Sequence, residues 1–269
     1  MQIFPLPLLK LGTIVLSCLA SIADAQTVNP LPNAHAHNDY EHDRPLLDAL
    51  EQGFTSIEAD VYLTDGELLV AHFQKDVKAD RTLEKLYLKP LYERFQKAAK
   101  SDAKDQHPIT LLVDIKNQGA ATYQVLNAQL QRYAEMLSCE RDGKFTLGAV
   151  TVIISGDRPM AEIRASNPRF VGIDGRLTDL ESSDSASLLP LISDNWRNHF
   201  KYRGEGQMND QERSKLTQIV KSAHDKGRRV RFWATPETED MWSELVRTKV
   251  DLIGTDNLIQ LSNFMREQK

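Results

Sequence analysis

The stretch SIEADVYLTDGELLVAH, residues 56–72, combines the patterns of two short β-strands with two acidic side chains and a histidine. Apolar and β-branched residues predict a buried strand over Ser56–Tyr62, and the turn sequence TDG leads into a second strand over Leu68–His72. Glu58 and Asp60 are two residues apart, so both carboxylates point to the same face of the first strand. Such a pair in a buried strand needs a chemical explanation.

Outward from this stretch, short β-rich runs alternate with amphipathic runs of helical period. The predicted strands are Asn33–His37, Ser56–Tyr62, Leu68–His72, Ile109–Ile115, Ala149–Ser155, Phe170–Ile173, Leu189–Ser193, Arg229–Ala234 and Leu252–Thr255. The predicted helices are Pro45–Gln52, Leu83–Lys100, Ala120–Leu137, Arg158–Ser166, Asp210–Lys226, Glu237–Thr248 and Leu258–Glu267. This alternation predicts an α/β fold with a parallel sheet covered by helices.

Close to eight strand–helix units fit one (β/α)8 barrel of the TIM type, a single domain over residues 26–269. A doubly wound sheet is the competing prediction. The barrel is favoured because polar residues follow nearly every predicted strand, and the active-site loops of a barrel gather at those strand ends.

Residues 1–25 have the pattern of a secretory signal peptide, which predicts an exported protein cleaved before Gln26. One early cation, Lys10, precedes an apolar core, and small residues stand before the predicted cleavage point. The apolar core is too short for a membrane anchor. Cys18 leaves a lipoprotein as the second interpretation of this segment.

The bulk composition excludes some partners and leaves others open. The net charge of −5 gives no support for nucleic-acid binding, which depends on a clustered basic surface. No second long apolar run follows the signal peptide, so we expect no transmembrane anchor and at most transient contact with a membrane surface. Cys139 is the only cysteine after Ala25, so no disulfide can form within the mature chain. The sequence leaves the oligomeric state open.

The paired acids predict a metal site. Glu58 and Asp60 repel each other in a low-dielectric environment unless a cation lies between them. Asp114, at the end of the predicted strand ITLLVDIK, can add a third carboxylate, and Lys116 shares its face and could neutralise a phosphate. An all-oxygen ligand set suits one hard divalent ion, Mg²⁺ or Ca²⁺.

Three of the seven histidines, His35, His37 and His72, fall at two predicted strand ends beside these acids. Histidine is the side chain best suited to give or take a proton near neutral pH. The pattern therefore predicts acid–base catalysis by a histidine pair around a metal that offsets charge on a phosphoryl group.

The motifs HAHND and GFTSIEADVYLTDGELLVAH resemble the core of the phospholipase-C-like phosphodiesterases. That superfamily includes glycerophosphodiester phosphodiesterases, phosphatidylinositol phospholipases C and sphingomyelinase D. LLVDIK is similar to the strand that carries the third metal ligand and the lysine in the sphingomyelinase D branch. HNDY, DGELLVAH, DRTLEKLYLKPL, LISDNW and GTDN resemble a branch of uncharacterised bacterial proteins that includes a fungal mitochondrial-inheritance protein.

Residue by residue, the resemblance implies two catalytic histidines, three metal ligands and two substrate-binding groups. The catalytic histidines are His35 and His72, and the metal ligands are Glu58, Asp60 and Asp114. The substrate-binding groups are Lys116 and Trp233. The first motif is His-Ala-His-Asn where glycerophosphodiesterases have His-Arg-Gly, so His37 can take the role of His35. The implied function is an exported, metal-dependent phosphoric diester hydrolase that acts on glycerophosphodiesters or (lyso)phospholipid head groups, with a cyclic phosphate as a possible intermediate. No arginine follows the first histidine to hold a phosphate, so the head group of the substrate stays open.

Two other functions compete with this one. His35-x-His37 and Asp256 match the pattern of metal-dependent amidohydrolases, which hold zinc in barrels, but those sites need further histidines at middle strand ends. His199 and His224 fall in helical or loop-like stretches instead. The remaining alternative is an exported, non-catalytic binding protein on a degenerate barrel.

Overall fold

The computed structural model describes Met1, residues 28–100 and residues 107–268. The predicted signal peptide lies outside these ranges apart from its first residue, so export stays a prediction. Within the described ranges, no helix is long and apolar enough to cross a bilayer.

The predicted barrel is confirmed. The strands are β1 Leu31–Ala36, β2 Phe54–Thr64, β3 Glu67–Val70, β4 Ile109–Ile115, β5 Cys139–Arg141, β6 Lys144–Thr146, β7 Val150–Gly156, β8 Val171–Gly175, β9 Leu191–Asn195, β10 Arg229–Trp233 and β11 Ile253–Thr255. Eight of them are parallel neighbours in the order β10-β9-β8-β7-β4-β2-β1-β11. An isolated parallel bridge between Arg231 and Leu252 links the two end strands, so the barrel is nearly closed.

Helices follow most of the barrel strands and cover their outer faces. They are α1 Leu47–Glu51, α2 Lys89–Ala99, α3 Gly119–Gln131, α4 Met160–Ala165, α5 Trp196–His199, α6 Asp210–His224, α7 Glu239–Arg247 and α8 Leu258–Glu267. α6 begins where its sequence indicates, because the Asn209 side chain accepts a hydrogen bond from the backbone of the first turn. α7 begins at Glu239, two residues later than predicted, and the Thr238 side chain is its cap.

The alternation of side chains along β2 explains why its two acidic residues point into the barrel. Ile57, Ala59 and Val61 are fully buried in the core on the outer face of the strand. The alternate residues, Glu58 and Asp60, therefore point to the barrel interior. β2 then runs on past the barrel and pairs with β3 in an antiparallel hairpin.

The barrel interior is divided into layers. Leu112, Ile153, Leu191 and Leu252 form their own apolar cluster, separate from the large core under the helices. Asp114 is two residues beyond Leu112 on β4, and Ser155 is two residues beyond Ile153 on β7. The polar residues thus lie toward the carboxyl ends of the strands, above an apolar layer.

Several details differ from the sequence prediction. The second strand of the opening stretch ends at Val70, so His72 lies in the loop after β3 and does not end the strand. The predicted helix Leu83–Lys100 begins with a π-helical turn over Glu84–Leu88 before α2. The β5–β6 hairpin and the short α5 were not predicted.

Candidate active site

Three carboxylates meet inside the barrel as the sequence predicts. Glu58, Asp60 and Asp114 each offer an oxygen, and these oxygens lie within 4.8 Å of one another. β2 and β4 are paired so that Asp60 stands opposite Asp114 and Glu58 opposite Leu112. The register of two neighbouring strands therefore builds the cluster.

Two cations offset part of this negative charge. The Lys116 ammonium lies 2.8 Å from Asp60 Oδ2 and 3.1 Å from Asp114 Oδ1. On the opposite side, Nη2 of the buried Arg231 donates to Glu58 Oε2 at 2.8 Å. The cluster is thus held between a lysine from its own strand pair and an arginine from β10.

Burial and repulsion set the protonation of the acids. Burial raises the pKa of Asp60 to about 6, and the charge of Glu58 adds to this rise while Lys116 opposes it. Burial likewise raises the pKa of Asp114. Burial would also raise the pKa of Glu58, but Arg231 and the hydrogen bond with His35 hold it well below its usual range.

The donor set fits a divalent cation. Asp60 Oδ1 is buried and has no hydrogen-bond partner among the described residues, so one carboxylate oxygen in the cluster is left for another ligand. All three groups offer oxygen, which Mg²⁺ and Ca²⁺ prefer. The Lys116 ammonium between Asp60 and Asp114 shows that the cluster already attracts positive charge.

His37 reaches the cluster from the end of β1. Its Nδ1 lies 2.7 Å from Asp256 Oδ1, and its Nε2 is 4.0 Å from Glu58 Oε2. A carboxylate only accepts hydrogen bonds, so Nδ1 carries the hydrogen and Nε2 faces the cluster. Burial lowers the pKa of His37, but the hydrogen bond with Asp256 and the charge of Glu58 outweigh this, and the net pKa is raised.

His35 lies deeper and is fully buried. Its Nδ1 bonds to Ser56 Oγ at 2.8 Å and its Nε2 to Glu58 Oε2 at 3.2 Å. Burial, reinforced by Arg231, lowers the pKa of His35 to about 4, so the ring is neutral near pH 7. His35 therefore holds the Glu58 carboxylate in place and does not line the cavity beside the cluster.

His72 approaches Asp60 from the other side. Its Nδ1 lies 3.0 Å from the Tyr40 hydroxyl, which donates to Asp60 Oδ2 at 2.7 Å. The hairpin brings the ring here, because Ala71 N–H bonds to the backbone carbonyl of Asp60. Nδ1 is thereby held by the tyrosine, and Nε2 makes no hydrogen bond within the described part of the chain.

One cavity adjoins the carboxylate cluster, and a second space adjoins His72. A cavity of about 280 Å³ is lined by His37, Glu58, Asp114, Lys116, Ser155, Arg176, Arg231 and Trp233. A wider polar groove of about 690 Å³ includes Tyr40, His72 and Phe73. The carboxylate cluster and the partly exposed His37 thus border the cavity, and the partly exposed His72 borders the groove.

The structure therefore brings together most of the predicted site residues. Glu58, Asp60, Asp114 and Lys116 are in direct contact or within one cluster, and Trp233 lines the same cavity. Of the two histidines left open at β1, His37 lines the cavity, whereas His35 does not.

Sequence reasoning missed four groups that hold or line the site: Tyr40, Asp256 as the partner of His37, Arg176 and Arg231. The HNDY motif contains Tyr40 and could have drawn attention to it. In the sequence Arg231 stands close to Arg228 and Arg229, a pattern typical of a solvated basic patch at the start of a strand. Its position two residues before Trp233 on β10 indicates the inward face.

The amidohydrolase pattern does not assemble. Within residues 28–100 and 107–268, the one group able to hold a metal ion consists of three carboxylates and no histidine. His35 is engaged by Ser56 and Glu58, and Asp256 is used to hold His37.

Comparison with protein families gives a direct assignment. The model of the AIM6-like phosphodiesterase domain matches residues 24–173, more than half of the chain. The chain belongs to this family. The model of the glycerophosphoryl diester phosphodiesterase family matches residues 229–259, which include the strand that carries Arg231 and Trp233.

Related proteins agree with the family. The chain is 29% identical to an altered inheritance of mitochondria protein 6 homolog from Arthroderma benhamiae, over 85% of this chain and 82% of the relative. Among solved structures, a glycerophosphodiester phosphodiesterase from Agrobacterium tumefaciens aligns with a TM-score of 0.53 at 15% identity, covering 88% of this chain and all of that one. A calcium-dependent phosphoinositol-specific phospholipase C from Pseudomonas aligns with a TM-score of 0.52 at 15% identity, covering 86% and 92%. At this identity the solved structures show a shared fold.

Proposed function

We propose that the chain is a metal-dependent phosphoric diester hydrolase that acts on glycerophosphodiesters or phospholipid head groups. The observation that carries the proposal is the cluster of Glu58, Asp60 and Asp114 within 4.8 Å, which leaves a buried carboxylate oxygen without a partner and has an imidazole on each side. The two solved neighbours, a glycerophosphodiester phosphodiesterase and a phospholipase C, support a phosphodiester as substrate. Residues 1–25 support export as part of the same proposal.

The three carboxylates would hold one Mg²⁺ or Ca²⁺. When bound, such an ion offsets charge on the phosphoryl oxygens and lowers the pKa of a nearby hydroxyl or water. Lys116 is the protein's own cation next to Asp60 and Asp114, and its ammonium is one-quarter exposed. It is placed to contact a phosphate oxygen beside the cluster.

His37 has the geometry of a general acid–base group. Asp256 fixes its tautomer through Nδ1, so Nε2 is the nitrogen that exchanges protons with the substrate. The hydrogen bond with Asp256 and the charge of Glu58 raise the pKa of His37, which favours the charged imidazole as a proton donor. His35 lacks both properties, because it is fully buried and its pKa is lowered.

His72 completes the pair. The chain of hydrogen bonds from its Nδ1 through the Tyr40 hydroxyl to Asp60 orients the ring. The ring is about one-third exposed and borders the groove, so its Nε2 is accessible to the second arm of a diester.

The two imidazoles account for both proton transfers. One takes the proton of the attacking hydroxyl as the new P–O bond forms, and the other donates a proton to the leaving oxygen as the old P–O bond breaks. When the attacking hydroxyl belongs to the substrate, the product is a cyclic phosphate and an alcohol. When water attacks, the products are a phosphomonoester and an alcohol.

The proposal is tested by incubating the purified protein with a panel of glycerophosphodiesters and lysophospholipids and following the phosphorus products by ³¹P NMR. We expect cleavage that requires Mg²⁺ or Ca²⁺ and that falls by at least about 100-fold in His37→Ala and in His72→Ala. His224→Ala is the matched control, since that histidine pairs with Asp251 outside the cluster. Parental rates in either active-site variant, or no cleavage of any diester by the wild-type protein, would contradict the proposal.

A further inference from the structure

Arg176 covers the face of the one tryptophan that lines the active-site cavity. Its guanidinium carbon lies 4.9 Å from the centre of the Trp233 ring, within the range of a cation–π contact. Both residues border the same cavity of about 280 Å³ as the carboxylate cluster. The face of the Trp233 ring that Arg176 covers is therefore already occupied by a cation that belongs to the protein.

This arginine is firmly held. Its Nη1 donates to Asp174 Oδ2 at 2.9 Å and to the carbonyls of Asp174 and Gly175. Asp174 is fully buried and also accepts hydrogen bonds from Ser155 and Ser193. Because the carboxylate is fixed by its own network, the guanidinium cannot swing off the ring without breaking several bonds.

The remaining donors of Arg176 are left for a ligand. Within the described residues, every side-chain hydrogen bond of Arg176 leaves from Nη1, so Nε and Nη2 keep their N–H groups. The side chain is about one-quarter exposed. A guanidinium edge of this kind recognises hydroxyl, carboxylate or phosphate oxygens.

The cavity is also rich in cations. Lys116, Arg176 and Arg231 line it, and the acids beside them are the groups assigned to the metal ion. A quaternary ammonium group binds best over the open face of an aromatic ring and away from other positive charges. This cavity offers neither condition.

We propose that Arg176 and Trp233 form the subsite for the alcohol part of the substrate, and that they select a polyhydroxy alcohol such as glycerol or inositol over choline. The inference rests on the proposed function and extends it by naming the substrate class. The hydroxyls would accept from Nε and Nη2 of Arg176, and the guanidinium would keep a trimethylammonium group off the Trp233 ring.

The direct test is equilibrium binding of phosphomonoesters, which a diesterase does not consume. Isothermal titration in the presence of Mg²⁺ would compare glycerol 1-phosphate, inositol 1-phosphate and phosphocholine on the full-length mature protein. We expect one of the two polyol phosphates to bind at least about tenfold more tightly than phosphocholine, which corresponds to about 1.4 kcal/mol. Equal or tighter binding of phosphocholine, or no binding of any of the three, would overturn the subsite.

The variant Arg176→Gln identifies the residue responsible. We expect it to reduce the preference to about threefold or less, because the ring becomes open and the charge is lost. Arg197→Gln is the matched control, since Arg197 is exposed on α5 and lies outside the cavity lining. An unchanged preference in a folded Arg176→Gln protein would overturn the assignment, and the wild-type comparison stands if this variant does not fold.

Turnover measurements separate the phosphodiesterase function from the alcohol subsite. Rates with bis(p-nitrophenyl) phosphate test the phosphodiesterase function without any polyol or ammonium group. The ratio of kcat/KM for the p-nitrophenyl phosphodiester of glycerol over p-nitrophenylphosphocholine tests the subsite in an active enzyme, because each substrate carries only one of the two alcohols. A chain that binds polyol phosphates selectively but cleaves no diester contradicts only the proposed function, whereas active cleavage with a preference for choline esters contradicts only the subsite.

Discussion

Replacing Arg231 by methionine removes the cation that lets Glu58 stay ionised inside the barrel. Arg231 Nη2 and Glu58 Oε2 are 2.8 Å apart, and the two side chains are 3% and 7% exposed. At this distance the attraction is about 6 kcal/mol with an effective dielectric constant of about 20, which is an upper limit because desolvation opposes it. Breaking a buried pair from one side usually costs about 3–5 kcal/mol. For a domain of this size we expect the melting temperature to fall by roughly 6–20 °C.

The double variant tests whether the loss comes from this pair. In Arg231→Met the charge of Glu58 keeps only His35, at 3.2 Å, and His37, at 4.0 Å, as close polar partners. Changing Glu58 to glutamine as well removes the orphaned charge, so the double variant should recover about 2 kcal/mol relative to the sum of the single losses.

Urea unfolding of the four proteins in EDTA, followed by circular dichroism, measures this coupling. Arg44→Met is the control, because its pair with Glu51 is more than half exposed and solvent screens it. Additive losses, or a loss of less than about 1 kcal/mol for Arg231→Met, would refute the reasoning.

Three further outcomes are expected. Burial raises the pKa of Asp39 from its usual 3.8 to about 6, so the folded state holds this proton more tightly than the unfolded chain. The contribution of Asp39 to the free energy of unfolding should therefore fall by about 2.4 kcal/mol as the pH rises from about 4 to about 7, and Asp39→Asn should remove that part of the slope in urea titrations. Saturation with Mg²⁺ or Ca²⁺ at about 100 times the dissociation constant should raise stability by about 2.7 kcal/mol, and Asp60→Asn should abolish the shift in a thermal melt. In rate measurements His37→Ala should lower kcat far more than His35→Gln does, whereas in melts the buried His35 should be the more costly change.

Each of these has its own control and failing outcome. A constant stability difference between wild type and Asp39→Asn at both pH values would show that Asp39 does not titrate as described. Asp225→Asn, on the exposed end of α6, should keep the full metal-dependent shift. A metal-dependent rise in melting temperature that persists in Asp60→Asn would show that the ion binds elsewhere. An equal loss of kcat in His37→Ala and His35→Gln would remove the distinction between the two histidines.

Local periodicity accounts for the parts of the fold that were predicted well. β4 has the bounds that its apolar run indicates, and the alternation in β2 sends Glu58 and Asp60 inward. Asp114 could be added because the carboxyl ends of parallel strands meet in a barrel. The β5–β6 hairpin has an Asp142-Gly143 turn signal, but its strands are three residues long and mostly exposed, so they carry no periodic pattern.

Depth and long-range pairing could not be predicted from the sequence. His35 lies on β1 and His37 follows two residues later, just past its end, so the sequence does not distinguish them. Only the closed barrel shows that His35 is fully buried while His37 borders the cavity. Arg231 meets Glu58 across 173 positions of sequence. Such a contact depends on strand order and tilt, which no local pattern encodes.

The central claim is that Glu58, Asp60 and Asp114 hold one divalent cation on which phosphodiester cleavage depends. Its most direct test is to titrate Mg²⁺ or Ca²⁺ back into the chelated protein while recording metal binding by calorimetry and the cleavage of bis(p-nitrophenyl) phosphate in parallel. We predict one ion per chain, with activity and binding rising together in the wild-type protein and neither returning in Glu58→Gln. Full activity in the chelated wild-type protein, or metal binding that is unchanged in Glu58→Gln, would contradict it.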